Sequence, residues 1–302
     1  MKKDFLSITD CDRDQLFAIL LLAQEIKKNN QPAALAQKNI GLLFEKHSTR
    51  TRLSFEVGIN QLGGSALILS SQDMQISRGE SIADTGKVIE RFLDALAARV
   101  FSHSMLETLA ANCSIPIINA LSDREHPCQI LADFLTILEK KKHLQGITIA
   151  YLGDGNNVAN SLLLGAPIAG ANIRIATPEK YAIRLDIAQQ ASNLAKEYNT
   201  EVTFTTNPHE AVTDANVLYT DTWISMGDSE EKQRDTDIFH TFQVNNELVK
   251  KARPDAIVMH CLPAHRGEEI TDEILDGSQS AVWDEAENRL HAQKALLLNL
   301  LK

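Results

Sequence analysis

Apolar runs of strand length alternate with segments of helical apolar spacing along the whole chain. In the first half, strand-like runs lie at 39–44, 65–69, 95–101 and 115–119, and helical patterns lie between them at 52–62, 81–92 and 105–111. Buried strands separated by helices are typical of parallel sheets whose faces are covered by helices. The pattern therefore predicts an α/β protein.

The same alternation restarts after a long helix predicted at 127–142. That helix ends in Lys140-Lys141-Lys142, where cations suit the negative end of the helix dipole. Further strands are predicted at 147–152, 172–176, 201–205, 217–220 and 257–260, and a last helix from about residue 285. We expect two domains of similar size, 1–140 and 141–302, each a parallel sheet flanked by helices, with the C-terminal helix crossing back to the first domain.

Composition narrows the class of protein. The chain has 302 residues, of which 44% are hydrophobic and 23% charged, as in ordinary globular proteins. Its formal net charge of −10 argues against nucleic acid as a partner, because such proteins carry a basic face. The start, Met1-Lys2-Lys3-Asp4, lacks the apolar segment of a signal peptide, and the apolar run 17–23 is too short to span a bilayer. We expect a cytoplasmic protein with no membrane association.

The cysteines favour neither disulfides nor a metal site. Cys11, Cys113, Cys128 and Cys261 form no C-x-x-C pair. Reduced thiols are the simplest interpretation. His260, Cys261 and His265 also lack the paired spacing of zinc ligands, so we predict no metal and no cofactor.

The segment Ser48-Thr49-Arg50-Thr51-Arg52 is the strongest chemical feature of the chain. Its hydroxyl residues precede a helical pattern formed by Leu53, Val57 and Leu62, as the N-cap and first turn of a helix would. Backbone N–H groups and the helix dipole favour anions at such a turn, and arginine adds bidentate donors. A capped helix with solvated arginines is the alternative. Five consecutive residues of this kind favour a phosphate site.

Other polar segments lie at predicted helix starts or strand ends. His126-Pro127-Cys128-Gln129 opens the long helix, so its His and Gln can face one ligand, although a partly buried His beside a cap is the simpler alternative. Asp221 and Ser225 follow the strand at 217–220, where ligands of open α/β sheets bind, and could hold an ammonium group. A helix cap followed by a turn is the alternative. Cys261 follows the strand at 257–260. Arg289 lies near the start of the last helix, where a solvated side chain is the default.

The loop Gly153-Asp154-Gly155-Asn156-Asn157 partly matches a dinucleotide fingerprint. The third glycine is missing, and no acidic residue ends the next predicted strand. An NAD-linked oxidoreductase is therefore disfavoured. Asn156 and Asn157 are better interpreted as polar groups offered to an anion such as a carboxylate.

Taken together, these motifs resemble the carbamoyltransferase family, and within it the ornithine carbamoyltransferases. The similarity covers nearly the whole chain and includes Asp73-x-Gln75, Arg99, Asp221-Thr222-Trp223-Ile224-Ser225-Met226-Gly227, His260-Cys261-Leu262-Pro263 and Ala286-Glu287-Asn288-Arg289. The resemblance implies transfer of the carbamoyl group of carbamoyl phosphate to the side-chain amine of L-ornithine in arginine biosynthesis. It also implies a homotrimer with active sites at subunit interfaces.

The resemblance also implies residue roles. The carbamoyl phosphate-binding residues would be Ser48, Thr49, Arg50, Thr51, Gln75, Arg99, His126, Gln129, Cys261, Leu262 and Arg289, with Gln75 reaching a neighbouring subunit. The ornithine-binding residues would be Asn157, Asp221, Ser225 and Met226. The catalytic residues would be Arg99, His126 and Cys261.

Two alternatives stay open. A non-catalytic paralogue would keep the phosphate site without the chemistry. Within the enzyme class, aspartate, acetylated ornithine and putrescine are the other possible acceptors. The sequence does not determine the direction of the reaction in the cell.

Overall fold

A computed structural model describes residues 3–29, 33–46, 48–224 and 236–301. Contacts within the chain divide it into two compact units, Met1–Leu135 with Glu287–Lys302, and Thr136–Ala286. The chain passes from the first unit to the second within the helix Pro127–Lys141 and returns within the helix Val282–Leu300.

The first unit contains a four-stranded parallel sheet. Its strands are β1 (Asn39–Phe44), β2 (Ser65–Ser70), β3 (Ala95–Arg99) and β4 (Ile117–Leu121), in the order β2-β1-β3-β4. Helices α1 (Arg13–Lys28), α2 (Arg50–Gln61), α3 (Ile82–Ile89) and α4 (His103–Asn112) connect or precede these strands. The beginning of α5 (Pro127–Lys141) also belongs to this unit.

The second unit contains a five-stranded parallel sheet. Its strands are β5 (Thr148–Leu152), β6 (Asn172–Ala176), β7 (Val202–Thr205), β8 (Val217–Thr220) and β9 (Ile257–His260), in the order β7-β6-β5-β8-β9. The helices are α6 (Asn157–Ala169), α7 (Leu185–Tyr198), α8 (Pro208–Val212), α9 (Asn246–Val249) and α10 (Asp272–Leu275). The last helix, α11 (Val282–Leu300), begins slightly before the predicted start near residue 285. The two helix-flanked parallel sheets confirm the predicted α/β class.

Strand order places the ligand-binding edge of each sheet. The chain reverses its direction of strand addition between β1 and β3 in the first sheet, and between β5 and β8 in the second. Ligands of open α/β sheets bind beyond the carboxyl ends of strands at such a switch point. The loops after β1, β5 and β8, together with the end of β3, carry the polar motifs found in the sequence.

Helix α2 buries a different face from the one that its leucine and valine predicted. Leu53 is 55% exposed and Val57 is 39% exposed, whereas Thr51, Phe55 and Ile59 are buried. Apolar spacing correctly indicated a helix, but Phe55 and Ile59 define an equally regular stripe. The buried stripe is the one that also brings Thr51 inward.

Helix α6 is buried along almost its whole length. Every residue from Val158 to Ala169 is buried. No helix within the four described ranges combines the length and apolar character needed to cross a bilayer.

Candidate active site

The start of α2 presents hydroxyl and guanidinium groups beyond the carboxyl end of β1. The Ser48 Oγ accepts a hydrogen bond from the Thr51 backbone N–H at 3.2 Å, which caps the helix. Thr49 makes no capping hydrogen bond, and its side chain is exposed. Arg50, the first helical residue, is half-buried. Hydroxyls and a cation thus lie at the positive end of a helix dipole, where an anion is stabilised.

Arg99 and His126 lie with Arg289 in one charged cluster of the first unit. The register of β3 and β4 shifts between Ala98 and Arg99, and an irregularity of this kind re-aims a side chain at a sheet edge. His126 is 4% exposed. Burial, and then the charges of Arg289 and Arg99, hold the pKa of His126 well below its ordinary value. The imidazole is therefore neutral at physiological pH and can donate only one hydrogen bond.

A tight turn holds His126 at the start of α5. The Ser122 backbone N–H donates to the Glu125 carbonyl at 2.9 Å, and the Asn119 amide donates to the same carbonyl at 3.3 Å. The buried Glu125 carboxylate in turn accepts from the Ile8 backbone N–H at 3.1 Å. These bonds fix the backbone immediately before His126.

Arg289 is buried inside the first unit. It is 3% exposed, and its Nη2 donates to Thr51 Oγ1 at 2.9 Å. Its Nη1 donates to Gln129 Oε1 at 2.5 Å, and Gln129 Nε2 donates to Asp133 Oδ1 at 2.8 Å. The default expectation of a solvated Arg289 was wrong, because α11 returns to the first unit and supplies the cation for this network.

Gln75 lies on the surface of the first unit. It begins a short 3₁₀ turn, Gln75–Arg78, and its side chain is exposed. Its assignment to a neighbouring subunit's site therefore stays a prediction.

Asp221 is the centre of the polar groups in the second unit. It is 5% exposed and follows β8 directly. Its Oδ1 accepts from the Thr222 N–H at 2.8 Å and from Cys261 Sγ at 2.9 Å. Its Oδ2 accepts from Asn156 Nδ2 at 2.8 Å. A carboxylate has about four acceptor positions, and hydrogen bonds among the described residues use three of them, which leaves a fourth that an ammonium donor could use.

Asn156 is not offered to a ligand as the sequence suggested. Its Oδ1 accepts from the backbone N–H groups of Val158 and Ala159, and its amide donates to Asp221. It therefore caps α6 and holds the acid. Asn157, the first residue of α6, is half-buried. Ser225 and Met226 lie outside the described residues.

Two buried carboxylates hold the segment from His260 to Leu262. The Glu269 Oε1 lies 2.8 Å from His260 Nε2, and the Glu285 Oε2 accepts from the His260 backbone N–H at 2.9 Å. The His260 Nδ1 accepts from the Leu262 N–H at 2.8 Å, so its Nε2 carries the proton donated to Glu269. Leu262 has φ of 58°, in the left-handed region that non-glycine residues seldom adopt. Cys261 and Leu262 are both half-buried, and the hydrogen bonds of His260 fix the backbone that carries them.

Two groups of side chains have the spacing of possible metal ligands, and in each group one member is already held by the protein. Asp221, His260 and Cys261 have potential ligand atoms within 4.8 Å of one another, as do His265, Glu268 and Glu269. His260 already uses both ring nitrogens, for Glu269 and for the Leu262 N–H. Glu269 Oε1 also accepts from the His265 backbone N–H at 2.6 Å, so it is a structural anchor.

The glycine loop after β5 is shaped by packing within the protein. A Cβ placed on Gly155 would lie 2.6 Å from the Tyr181 carbonyl oxygen and 2.8 Å from the Ile183 nitrogen. Gly155 is therefore required by a close approach of the 181–183 backbone. This is a structural reason for the glycine that does not involve a dinucleotide.

The sequence analysis missed four buried acids that hold candidate site residues, Glu125 and Asp133 in the first unit and Glu269 and Glu285 in the second. Asp133 lies one helical turn after Gln129, and an amide and an acid four residues apart on a helix were a detectable signal. Glu285 lies 25 residues after its partner His260. Glu269 lies 9 residues after His260, at the end of the charged segment His265-Arg266-Gly267-Glu268-Glu269. No local pattern distinguishes them from solvated acids.

Comparison with known proteins identifies the family. A model of the carbamoyl phosphate-binding domain of aspartate/ornithine carbamoyltransferases matches residues 3–139, and a model of the Asp/Orn-binding domain matches residues 145–300. The chain belongs to the aspartate/ornithine carbamoyltransferase family.

Relatives of this carbamoyltransferase are similar over its full length. It is 51% identical to an ornithine carbamoyltransferase of Methanospirillum hungatei over 100% of both chains. It is 49% identical to a catabolic ornithine carbamoyltransferase of Thermoplasma acidophilum over 99% of both. The solved structure of ornithine carbamoyltransferase from Pyrococcus furiosus matches with a TM-score of 0.93 at 48% identity, covering 97% of this chain and 95% of that one.

Proposed function

We propose that this carbamoyltransferase transfers the carbamoyl group of carbamoyl phosphate to the side-chain amine of L-ornithine, giving L-citrulline and phosphate. The observation that carries the proposal is the 51% identity, over the entire chain, to a protein named ornithine carbamoyltransferase. The buried network around Arg289 and the Asp221–Cys261 pair support catalysis over a binding-only role, because a protein that only held phosphate would need neither.

Residues of the predicted domain 1–140, together with Arg289 from the helix that returns to the first unit, would bind carbamoyl phosphate. Ser48, Thr49, Arg50 and Thr51 would bind the phosphate at the start of α2, with Gln75 contributed by a neighbouring subunit. Arg99, His126, Gln129 and Arg289 would bind the carbamoyl group. As the amine attacks, negative charge builds on the carbamoyl oxygen, and donors already fixed around that oxygen stabilise the transition state. A neutral His126 can serve as such a donor without being ionised.

Residues of the predicted domain 141–302 would bind ornithine. Asp221 and Ser225 would hold its α-ammonium group, Asn157 its carboxylate and Met226 its side chain. Cys261 and Leu262 would contact the carbamoyl group. The ornithine amine titrates near ~10, like lysine, and attacks only when neutral. The Cys261 thiol donates a hydrogen bond to the Asp221 carboxylate. This contact would place Asp221, as a proton acceptor, beside the residue that contacts the carbamoyl group.

The proposed chemistry uses no metal and no cofactor, since carbamoyl phosphate is already activated by its phosphate leaving group.

We further propose a cytoplasmic homotrimer in which active sites lie at subunit interfaces. The reaction belongs to arginine metabolism. Relatives include a protein named catabolic, so the direction in the cell is tested by comparing the rates of citrulline formation and of its phosphorolysis.

The acceptor is tested by incubating the protein with carbamoyl phosphate and ornithine, acetylornithine, putrescine or aspartate and measuring ureido product. We expect product with ornithine at a far higher kcat/KM than with the others. Absence of product with ornithine, or a higher rate with another amine, would refute the proposal.

Two neighbouring arginines allow a matched test of the phosphate site. Arg50→Ala is expected to lower kcat/KM about 10²–10³-fold, because a fixed donor to the departing phosphate is lost. Arg52→Ala is the control, since Arg52 is largely exposed and pairs with Glu56 at 3.5 Å. Equal losses in the two variants would show that general positive charge, and not a fixed contact, is what matters.

A further inference from the structure

Asn156 connects two loops of the second unit through the two ends of one side-chain amide. Its Oδ1 accepts from the backbone N–H groups of Val158 and Ala159, both at 3.0 Å, and thereby caps α6. Its Nδ2 donates to Asp221 Oδ2 at 2.8 Å, across 65 residues of sequence. The strands β5 and β8 are direct neighbours in the sheet, so the loops that follow them meet at this hydrogen bond.

The helix cap fixes which end of the amide faces Asp221. Backbone N–H groups only donate, so the two N–H groups of the cap require the amide oxygen and leave the amide nitrogen for the carboxylate. The capped helix is buried from Val158 to Ala169, so the donor is carried by a packed element. Asn156 therefore offers Asp221 a hydrogen-bond donor in a fixed place.

The two oxygens of Asp221 have different partners. Oδ1 accepts from the Thr222 N–H at 2.8 Å and from Cys261 Sγ at 2.9 Å. Oδ2 accepts from Asn156 alone among the described residues. Oδ2 is thus the oxygen with an acceptor position for a further donor, and Asn156 is the residue that holds this oxygen.

The charge of Asp221 favours a cation as that further donor. The side chain is 5% exposed. Within the part of the chain that the structure describes, its hydrogen-bonding partners are an amide, a thiol and a backbone N–H group, none of which is a cation. A buried carboxylate without a cationic partner is stabilised when a cation binds to it, and the α-ammonium group of an amino acid is such a cation.

We propose that Asn156 is a positioning residue for selection of the acceptor, because it holds the Asp221 oxygen that pairs with the α-ammonium group. The inference rests on the proposed function, which assigns the α-ammonium group of ornithine to Asp221. In this role Asn156 acts through Asp221. Loss of its amide should therefore weaken recognition of the ammonium group and leave carbamoyl phosphate binding intact.

Asn156→Ser separates this role from helix capping. Serine caps helices about as well as asparagine, but its shorter side chain has no amide to donate to Asp221. Asn156→Thr, which also keeps a capping oxygen, carries the same expectation should Asn156→Ser not fold. Asn245→Ser is the matched control. Asn245 caps α9 in the same way, accepting from the N–H groups of Glu247 at 3.0 Å and Leu248 at 3.2 Å, and its amide donates to no carboxylate among the described residues.

The test uses two analogues of ornithine that have no side-chain amine. L-Norvaline keeps the α-ammonium and carboxylate groups, whereas pentanoate keeps the carboxylate alone. Both are titrated calorimetrically into the full-length protein saturated with carbamoyl phosphate, whose own dissociation constant is measured separately. We expect Asn156→Ser to weaken norvaline binding about tenfold, as for one lost hydrogen bond to a charged group, and to change the other two affinities less than about twofold. Asn245→Ser should leave all three unchanged.

A double-mutant cycle separates positioning from a general structural role. In an Asp221→Ala background, Asn156→Ser should cause no additional loss of norvaline affinity, because the carboxylate through which it acts is gone. A further loss of the same size in that background would show that Asn156 acts by another route, and would overturn the inference.

Unchanged norvaline affinity in folded Asn156→Ser would also overturn the inference. Equal weakening of norvaline and pentanoate would do the same, since Asn156 would then act on the carboxylate or on the loop as a whole. So would a wild-type protein that binds norvaline no more tightly than pentanoate, even if it converts ornithine to citrulline. The expected loss of norvaline affinity, in a protein whose wild type transfers no carbamoyl group to ornithine, would instead refute the proposed acceptor and leave the role of Asn156 supported.

Discussion

Glu269→Ala should destabilise the protein more than most single substitutions. The carboxylate is fully buried, and its Oε1 accepts from His260 Nε2 at 2.8 Å and from the His265 N–H at 2.6 Å. Both donors lose a charged acceptor in the variant, and the His260 ring is itself 0% exposed. Two such bonds, at roughly 1.5–3 kcal/mol each, sum to about 3–6 kcal/mol. Removing one partner of a buried pair typically costs about 3–5 kcal/mol, so we expect a loss of about 3–5 kcal/mol in the free energy of unfolding.

Calorimetric unfolding measures this loss directly. For a unit of about 150 residues, each kcal/mol lowers the melting temperature by roughly 2–4 °C, so a fall of about 6–20 °C is expected. Glu269→Gln keeps an acceptor oxygen and should lie between wild type and Glu269→Ala. The neighbouring Glu268 has a side chain 51% exposed, and Glu268→Ala should change the free energy of unfolding by no more than about 0.5 kcal/mol. Losses of similar size in Glu269→Ala and Glu268→Ala would refute the argument that the buried carboxylate holds His260.

Three further outcomes are expected. Gly155→Ala should destabilise the second unit by about 1–3 kcal/mol in a denaturant titration, because its Cβ would meet the Tyr181 carbonyl oxygen at 2.6 Å; a neutral result would contradict the packing argument. Burial holds the pKa of His126 well below 6.5, so in acid the unfolded chain binds a proton that the folded chain does not. The free energy of unfolding should therefore fall as the pH drops below about 6.5, by up to about 1.4 kcal/mol per pH unit. His126→Gln should flatten that slope, and an unchanged slope would exclude this contribution. Asp221→Asn should raise the KM for ornithine about tenfold or more and leave carbamoyl phosphate affinity nearly unchanged, since its new amide NH₂ would face donors; equal losses for both substrates, measured separately, would point to a structural role.

Strands such as β1, β4 and β8 were predictable because burial on both faces leaves a continuous apolar run. β1, β6, β8 and β9 begin and end at the predicted residues, and the predicted polar motifs lie at strand ends as parallel topology requires. Helix faces were less predictable. In α2 the leucine and valine pattern marked an exposed side, because two stripes fit the same period and only the tertiary packing selects one.

The partners of polar groups were the least predictable part of the candidate site. Asn156 looked available to a ligand, but it both caps α6 and binds Asp221, which lies far away in the sequence. Arg289 looked solvated by local criteria, and only the resemblance to a family placed it in the site. Its burial depends on contacts with Thr51 and Gln129, which are separated from it by most of the chain. Local patterns contain no information on such pairs.

The return of α11 to the first unit has a consequence for the way this protein is made. Synthesis proceeds from the N-terminus, and early domains generally fold as units once they emerge. Here the segment Glu287–Lys302 belongs to the first unit, and within it Arg289 closes the network of Thr51 and Gln129 while Lys294 donates to Gln61 at 3.0 Å. A nascent chain that has reached residue 286 therefore still holds the buried acceptors of its first unit without their cation, and the ribosome must add the α11 segment before the carbamoyl phosphate half of the enzyme can reach its native state.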